Sequence, residues 1–203
     1  SKDLWLLVPS LKMQNSSVPL ILTKHVGSFI QKNDILHRFL YNRLTKVIAI
    51  SKVIERNLLD TCPLQPSKIS LIYNPIDTAK FDKNTADRNK IRNEFSIEED
   101  TVLIGMSARF TPGKGHEEFI DAAFHLIRKF RDVKFLIAGE ASRGESEYAD
   151  KIKNIVLGSC YKDKFIFTGF RQDIPDVLAA LDIFCFPSHA EAFGLALAEA
   201  MSM

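Results

Sequence analysis

A chain of 203 residues that is 46% hydrophobic and 26% charged can form one large domain or parts of two, and its composition is not that of a disordered protein. Its net charge of +2 gives no footprint for nucleic-acid binding, and Cys62, Cys160 and Cys185 are too widely spaced to support a zinc site or a disulfide framework. No apolar stretch reaches the roughly 18 residues of a membrane span, and the cysteine usage favours a reducing cytoplasm.

Short apolar runs alternate with helical patterns along the chain. The predicted strands are residues 4–8, 20–23, 46–50, 69–73, 102–107, 134–138, 165–168 and 183–187. The predicted helices are residues 35–43, 52–60, 86–95, 116–130, 147–157, 174–181 and a helix from Leu195 onward. Ser51 is placed to cap the helix that starts at Lys52. This alternation predicts an α/β fold with doubly wound parallel sheets.

A turn signal at Asn74-Pro75-Ile76-Asp77 and a polar stretch over residues 82–89 mark a domain boundary. We predict a first domain over residues 1–85 and a second over residues 86–203. Each half has about four predicted strands, fewer than a doubly wound domain usually contains. Both domains are therefore expected to be incomplete, and one continuous eight-strand sheet is the alternative if the chain is whole.

A polar loop leaves the predicted strand 102–107 and enters the helix from His116. Its position at the carboxyl end of a strand is where open α/β folds bind ligands. Arg109 and Lys114 can converge there on one polyanion, while the loop glycines let the backbone approach. The residue order is neither that of a Walker A loop nor that of a dinucleotide fingerprint. A phosphate site and a solvated connection both fit this loop.

The closing segment, residues 188–203, carries Glu191 and Glu199 on either side of a Phe-Gly turn. The backbone N–H groups from Gly194 onward open a helix, and a helix start attracts anions. Glu199 can accept hydrogen bonds from ribose hydroxyls, and Glu191 can reach a polyol. Each carboxylate also fits a solvated surface charge, and a glycosidase acid pair stays open.

Together these motifs resemble glycosyltransferase family 4 (group 1), the retaining nucleotide-sugar transferases with the GT-B fold. The matching segments are Ser107-Ala-Arg109-Phe-Thr-Pro-Gly-Lys114-Gly, Phe135-Leu-Ile-Ala-Gly139-Glu, Phe167-Thr-Gly169-Phe, Asp182-Ile-Phe-Cys-Phe-Pro187-Ser, Glu191-x7-Glu199 and Ile72-Tyr-Asn74-Pro-Ile-Asp77. Their order over residues 69–203 makes the resemblance specific, whereas residues 1–68 match more loosely. The resemblance implies two incomplete Rossmann-like domains: the second half of an acceptor-binding domain and the first part of a donor-binding domain.

The resemblance also implies roles for the matching residues. Arg109 and Lys114 would bind the donor diphosphate, Glu199 the ribose, and Glu191 the hydroxyls of the transferred sugar. The implied catalytic residues are Glu191, His25, Arg109 and Lys114. The implied donor-binding residues are Arg109, Lys114, Gly169, Phe170, Arg171, Glu191, Phe193, Gly194, Leu195 and Glu199, with residues 170 and 171 near the nucleobase and 193–195 presenting backbone groups.

His25 follows the predicted strand 20–23. By itself it fits a structural or solvated histidine, but family members often place a histidine here, facing the transferred sugar. The resemblance therefore implies a catalytic role for His25, with Lys24 and Ser28 lining the cleft. The other histidines lack the spacing of metal ligands, so we expect no metal and no cofactor beyond the donor substrate.

Two positions depart from the family pattern. Ala108 stands where the family has the glycine before Arg109, and Ala192 stands where many members have a glycine after Glu191. Both changes are small. The methyl group of Ala192 is expected to narrow the room for the sugar.

The sequence thus predicts part of a hexosyltransferase that moves a sugar from a nucleoside diphosphate to a hydroxyl acceptor, with retention. The acceptor class suggested by the family is a glycan or lipid-linked glycan of polysaccharide biosynthesis. The alternative is a non-catalytic module that binds a nucleotide or polyanion and uses Arg109 and Lys114 without Glu191 or His25. Since both domains are expected to be incomplete, the chain alone is expected to be inactive.

Charge is unevenly distributed along the chain. Residues 1–95 carry 15 Lys and Arg against 8 Asp and Glu, a net charge of +7, whereas residues 96–203 carry 12 against 17, a net charge of −5. A basic half can approach an anionic substrate or membrane. Two ordinary solvated surfaces that differ in net charge would explain the same charge counts. We expect a cytoplasmic protein, with peripheral contact on the inner membrane face as an open alternative.

Overall fold

The computed structural model describes residues 2–203. The helices are α1 (Leu4–Met13), α2 (Ile35–Asn42), α3 (Lys52–Thr61), α4 (Arg88–Glu94), α5 (His116–Ile127), α6 (Ser146–Leu157), α7 (Ile174–Ala180) and α8 (Leu195–Ser202). The strands are β1 (Ile21–Lys24), β2 (Lys46–Ala49), β3 (Ile69–Leu71), β4 (Val102–Ser107), β5 (Val133–Ala138), β6 (Phe165–Gly169) and β7 (Ile183–Phe184). Short 3-10 turns at Pro66–Lys68 and Lys162–Lys164 precede β3 and β6.

The chain forms two compact units, the first ending at Pro75 and the second beginning at Ile76. Within residues 2–203 the strands make two separate parallel sheets, so the alternative of one continuous eight-strand sheet is wrong. The division lies before residue 85 because residues after Ile76 pack with the second unit. Phe81 is buried there, and its carbonyl accepts a 2.8 Å hydrogen bond from Ser202 Oγ. The limits 1–85 and 86–203 stay a prediction for the intact protein.

The first unit is built on a sheet with the strand order β1-β2-β3. The register pairs Leu22 with Val47 and Val47 with Ile69, all in parallel. Ser51 caps α3 as predicted, since its side chain accepts a 3.2 Å hydrogen bond from the N–H of Ile54. That cap fixes the turn between β2 and α3 and thereby places α3 on the sheet.

The predicted strand at residues 4–8 is wrong, because these residues belong to α1. Leu4 and Val8 are buried while Leu6 between them is 76% exposed. A strand would put all three side chains on one face, whereas residues four apart share a face of a helix. The apolar run is too short to separate the two periods, and the helix continues through the polar residues up to Met13.

The second unit is built on a four-stranded sheet with the order β6-β5-β4-β7. Its two faces are covered by different helices. Leu103 and Leu136 pack with α4 and α7, while Ile104 and Phe135 pack with α5 and α6. Since successive strand residues point to opposite faces, both faces of the sheet are apolar, which explains the nearly continuous apolar strands of the sequence.

Candidate functional site

The candidate site lies at the carboxyl edge of the second sheet, where three neighbouring strands end. β4 ends at Ser107, β5 at Ala138 and β6 at Gly169. Residues 107–109, 138–141, 170, 171 and 174 line a cleft of about 340 Å³ at these ends. Parallel strands present their carboxyl ends at one edge, so motifs that are far apart in sequence meet there.

Two of the loops at this edge are joined by a close backbone approach. Gly139 has a φ of +145°, and a Cβ atom on it would lie 1.9 Å from the carbonyl oxygen of Ala108. Only glycine fits that position. Farther along the same loops, Thr111 Oγ1 donates a 2.6 Å hydrogen bond to Glu145 Oε2. The loop after β5 therefore supports the loop that carries the predicted phosphate-binding residues.

Arg109 is exposed at the edge of the cleft. Its Nη1 donates a 3.3 Å hydrogen bond to Ser142 Oγ, and it makes no ion pair with any residue in the range 2–203. A guanidinium that is not neutralised by a carboxylate can offer its fork of donors to a phosphate.

Lys114 is bound to a carboxylate of the closing segment. Its Nζ lies 2.6 Å from Glu191 Oε1, and Ser188 Oγ donates a 2.8 Å hydrogen bond to the same oxygen. The contact depends on tight backbone packing. Gly115 has a φ of +81°, and a Cβ atom there would lie 2.3 Å from the carbonyl oxygen of Pro187. The structure thus brings together the loop after β4 and the segment before α8, as the two motifs predicted.

The segment before α8 ends in a helix start that has no side-chain cap. Gly194 is the N-cap residue of α8, with a φ of +84°. Since the first N–H groups of a helix have no partner within the helix, they and the helix dipole favour an anion at this end. Phe193 and Leu195 flank the N-cap residue, so the three predicted backbone contacts lie at the helix start.

Glu199 lies within α8, one turn beyond the helix start, and is partly buried. Burial raises the pKa of its carboxyl above the ordinary value, and the positive charge of Lys80 opposes that shift. A carboxylate that is kept from water in this way gains from hydroxyl donors that replace the lost hydration.

Arg171 lines the cleft, but its guanidinium already forms ion pairs with two carboxylates. Its guanidinium makes hydrogen bonds of 2.6 and 2.9 Å to Glu94 and of 2.8 Å to Asp173. The same bonds raise the pKa of Arg171 and lower the pKa of Asp173. Phe170 is exposed beside it at the end of β6. The structure therefore brings residues 170 and 171 to the cleft, directly after Gly169 at the end of β6. The guanidinium of Arg171 stays paired with the two carboxylates.

His25 lies in the first unit, exposed at the carboxyl end of β1. Lys24 is the last residue of that strand. Ser28 is held by a side chain of α3, because its N–H donates to Asn57 Oδ1 at 2.8 Å and its carbonyl accepts from Asn57 Nδ2 at 2.9 Å. The roles of these three residues stay predictions.

Two features of the site were not among the predicted site residues. Ser188 holds the Glu191 carboxylate, and its place directly after the apolar run 183–187 was the available sequence signal. His116 is fully buried at the start of α5, stacked on the ring of Phe110 with centroids 4.4 Å apart. Its neighbour Gly115 is forced against Pro187, which a sequence pattern does not show.

The burial of His116 predicts a pH-dependent stability. Desolvation lowers its pKa to about 4 from 6.5, against the opposing charges of Glu117 and Glu118. The unfolded chain therefore takes up this proton at a higher pH than the folded chain does. The neutral His116 ring makes its full contribution to the free energy of unfolding above about pH 6.5. That contribution is lost as the pH falls towards 4. We expect a loss of about 2 kcal/mol between pH 6.5 and pH 5.

Urea unfolding of the wild type and of His116→Phe at those two pH values measures this loss. The variant keeps an aromatic ring against Phe110 but cannot titrate, so it is expected to lose about 2 kcal/mol less than the wild type. The exposed His125 provides the control, since His125→Phe is expected to follow the wild type. Equal losses in wild type and His116→Phe would show that the buried ring does not govern the pH dependence.

Two kinds of feature are absent from residues 2–203. No cluster of three or more His, Cys, Asp or Glu side chains is arranged to hold a metal ion. None of the helices in this range is both long and apolar enough to cross a membrane.

Known proteins resemble most of the chain in sequence and nearly all of it in structure. LpsB of Rhizobium meliloti, a lipopolysaccharide core biosynthesis mannosyltransferase, is 27% identical over 165 residues, covering 81% of this chain and 45% of LpsB. The UDP-Gal:alpha-D-GlcNAc-diphosphoundecaprenol alpha-1,3-galactosyltransferase of Escherichia coli is 30% identical over 142 residues, 68% of this chain and 35% of that enzyme. Alr3699/HepE of Anabaena, crystallised with UDP and glucose, superposes with a TM-score of 0.79 at 25% identity and covers 99% of this chain. The chain covers 54% of HepE and thus spans about half the length of these relatives or less.

The parallel sheets, the cleft at the strand ends and the structural neighbours define a GT-B glycosyltransferase fold. Two family models match along the chain. The model described as glycosyl transferases group 1 covers residues 87–203, and the model described as glycosyltransferase family 4 covers residues 1–80. Because the first model covers more than half of the chain, the chain belongs to the group 1 glycosyltransferases. The predicted family and fold class are therefore confirmed.

Proposed function

We propose that the protein transfers a sugar from a nucleoside diphosphate to a hydroxyl acceptor, with retention of the anomeric configuration. The observation that carries this proposal is the meeting of three features at one sheet edge: the unpaired charge of Arg109, the Lys114–Glu191 contact and the start of α8. Together they offer cations, helix N–H groups and a carboxylate within the second unit. The enzymes to which the chain is similar are named as glycosyltransferases, which supports the same conclusion.

The reaction makes negative charge on the departing diphosphate. The bond from the anomeric carbon to the β-phosphate oxygen breaks, the acceptor oxygen forms a new bond to that carbon, and the acceptor proton passes to the leaving phosphate. Arg109, Lys114 and the N–H groups after Gly194 would stabilise the developing charge, because fixed donors act most strongly where charge appears. In this proposal they do so without a metal ion.

The other predicted residues complete the proposed donor site. Glu199 would accept hydrogen bonds from the ribose, and its partial burial supports a role that exchanges water for hydroxyl donors. Glu191 would bind hydroxyls of the transferred sugar. A catalytic role for His25, with Lys24 and Ser28 as further binding residues, belongs to the same proposal.

The donor is proposed to be a UDP-sugar. The similar HepE structure holds UDP and glucose, and the similar Escherichia coli enzyme is named for UDP-galactose. The acceptor is proposed to be a glycan or lipid-linked glycan, as the names of the mannosyltransferase and galactosyltransferase suggest for those proteins. A cytoplasmic site of action and peripheral contact with the inner membrane face, through the basic first half, also belong to this proposal.

Calorimetric titration of UDP, GDP and ADP into the intact protein tests the donor class. We expect one of the three, UDP, to bind, and we expect Glu191→Ala to lower turnover of the UDP-sugar while nucleotide binding persists. A nucleotide that binds in an intact protein without any sugar transfer would instead indicate the non-catalytic module. Binding of none of the three would contradict the proposed function.

A further inference from the structure

The ion pair between Lys114 and Glu191 has a consequence for ligand binding that rests on the proposed function. Lys114 Nζ lies 2.6 Å from Glu191 Oε1, and only 24% and 26% of the two side chains is exposed. Neither residue has a second ion-pair partner in the part of the chain that the structure describes. A diphosphate that binds Lys114 therefore has to compete with a carboxylate at short range.

Competition of this kind weakens the binding of an anion in two ways. When the diphosphate binds, the Lys114 ammonium group gives up its contact with Glu191. The free energy that it contributes to binding is therefore the difference between the two contacts and not the full energy of the new one. The Glu191 carboxylate then stays beside a newly bound polyanion and repels it in a partly desolvated place. Arg109, which has no carboxylate partner among residues 2–203, carries no such penalty.

Ser188 determines where the displaced carboxylate stays. Its Oγ donates to Glu191 Oε1 at 2.8 Å and lies 3.4 Å from the carbonyl oxygen of Gly113. The N–H of His189 donates to the same carbonyl at 2.9 Å, so the backbone that carries Ser188 is fixed. Glu191 keeps this hydroxyl donor when it loses Lys114, and its remaining lone pairs are then open to hydroxyl groups of a ligand.

We propose that Glu191 is the internal counter-ion of Lys114, which a nucleoside diphosphate displaces, and that it thereby selects against a bare nucleoside diphosphate. A nucleotide sugar supplies hydroxyl groups that satisfy the released carboxylate. The product of transfer lacks them and leaves Glu191 with repulsion alone. Glu191 therefore favours binding of the nucleotide-sugar donor and also favours release of the nucleoside diphosphate product.

The test compares UDP affinity in the wild type and in Glu191→Gln by calorimetry on the intact protein. Glutamine keeps the size and the hydrogen bond from Ser188 but removes the charge. We expect UDP to bind about fivefold to tenfold more tightly to the variant. Glu118→Gln is the matched control, because Glu118 pairs with His189 in the neighbouring turn and does not contact Lys114. It is expected to change UDP affinity by less than about twofold.

A double-mutant cycle identifies the partner of Glu191. In a Lys114→Gln background the Glu191→Gln substitution should improve UDP binding by a clearly smaller factor, because competition for the ammonium group is gone and only the repulsion between the carboxylate and the diphosphate remains to be removed. Glu191→Asp shortens the side chain and serves if the glutamine variant does not fold. It is expected to tighten UDP binding as well, by a smaller factor.

The outcomes separate this inference from the function on which it rests. If wild type binds UDP and the Glu191 variants bind it equally or more weakly, the counter-ion role is wrong and the proposed function stands. If an equal gain appears in the Lys114→Gln background, Lys114 is not the partner and the inference is again wrong. If none of UDP, GDP and ADP binds to wild type, the proposed function fails and the inference fails with it.

Discussion

Replacing Arg109 with alanine is expected to lower kcat/KM for the UDP-sugar by about a hundredfold to a thousandfold. Removal of one fixed donor aimed at developing charge has an effect of this size in enzymes. Arg109 makes only a 3.3 Å hydrogen bond to Ser142, so its loss leaves little unpaired within the protein. The variant should therefore fold normally and lose transition-state stabilisation. Steady-state release of UDP by the intact protein measures the change.

Arg128→Ala is the control for the Arg109 substitution. Arg128 is also exposed, but it lies at the opposite end of α5, where that helix ends. It is expected to keep wild-type kinetics. An Arg109→Ala protein that turns over within about threefold of wild type would remove Arg109 from the proposed diphosphate site.

Replacing Arg92 with alanine is expected to destabilise the second unit by about 3 kcal/mol or more. Arg92 lies on the buried face of α4, and its guanidinium donates to the carbonyl oxygens of Ala180, Glu98 and Thr101 at 3.0, 2.8 and 2.6 Å. It also lies 3.4 Å from Asp182 Oδ2. Alanine would remove a buried guanidinium and, with it, a donor from each of the three carbonyl groups. Urea unfolding of the chain, followed by circular dichroism, measures the loss.

Arg88→Ala compares an exposed arginine that has similar partners with the buried Arg92. Arg88 lies 2.7 Å from Asp182 Oδ1 and donates to the carbonyl oxygens of Ala179 and Ala180, but 41% of its side chain is exposed. Water can replace an exposed guanidinium, so the expected loss is about 1 kcal/mol. If both arginine variants lose the same stability, the buried carbonyl contacts of Arg92 do not hold α4 on the sheet.

The order of strands and helices could be predicted from the sequence wherever a buried run was bounded by polar turns. The predicted limits of β4 are those observed, because a strand covered on both faces has no polar positions inside it. The first element could not be predicted in this way. Residues 4–8 are all apolar, so their sequence shows neither the period of a strand nor that of a helix. Only the burial of Leu4 and Val8 on one face of the element identifies a helix.

The place of the site could be predicted, but its contacts could not. Parallel strands bring the motifs of residues 107–115 and 188–195 to one edge, which follows from topology alone. The pairing of Lys114 with Glu191 joins positions 77 residues apart and depends on how Gly115 packs on Pro187. Arg171 was predicted beside the nucleobase from resemblance, and only the structure shows that Glu94 and Asp173 hold its charge.

The proposed function requires that this chain provides the donor site of a nucleotide-sugar transferase. The decisive experiment is a turnover assay of the intact protein with UDP-, GDP- and ADP-sugars and hydroxyl acceptors. We expect the acceptor to gain a sugar in step with release of one nucleoside diphosphate, and both rates to fall by about a hundredfold to a thousandfold in Arg109→Ala. Hydrolysis of a simple aryl glycoside in the absence of any nucleotide, with no transfer from a nucleotide sugar, would contradict it.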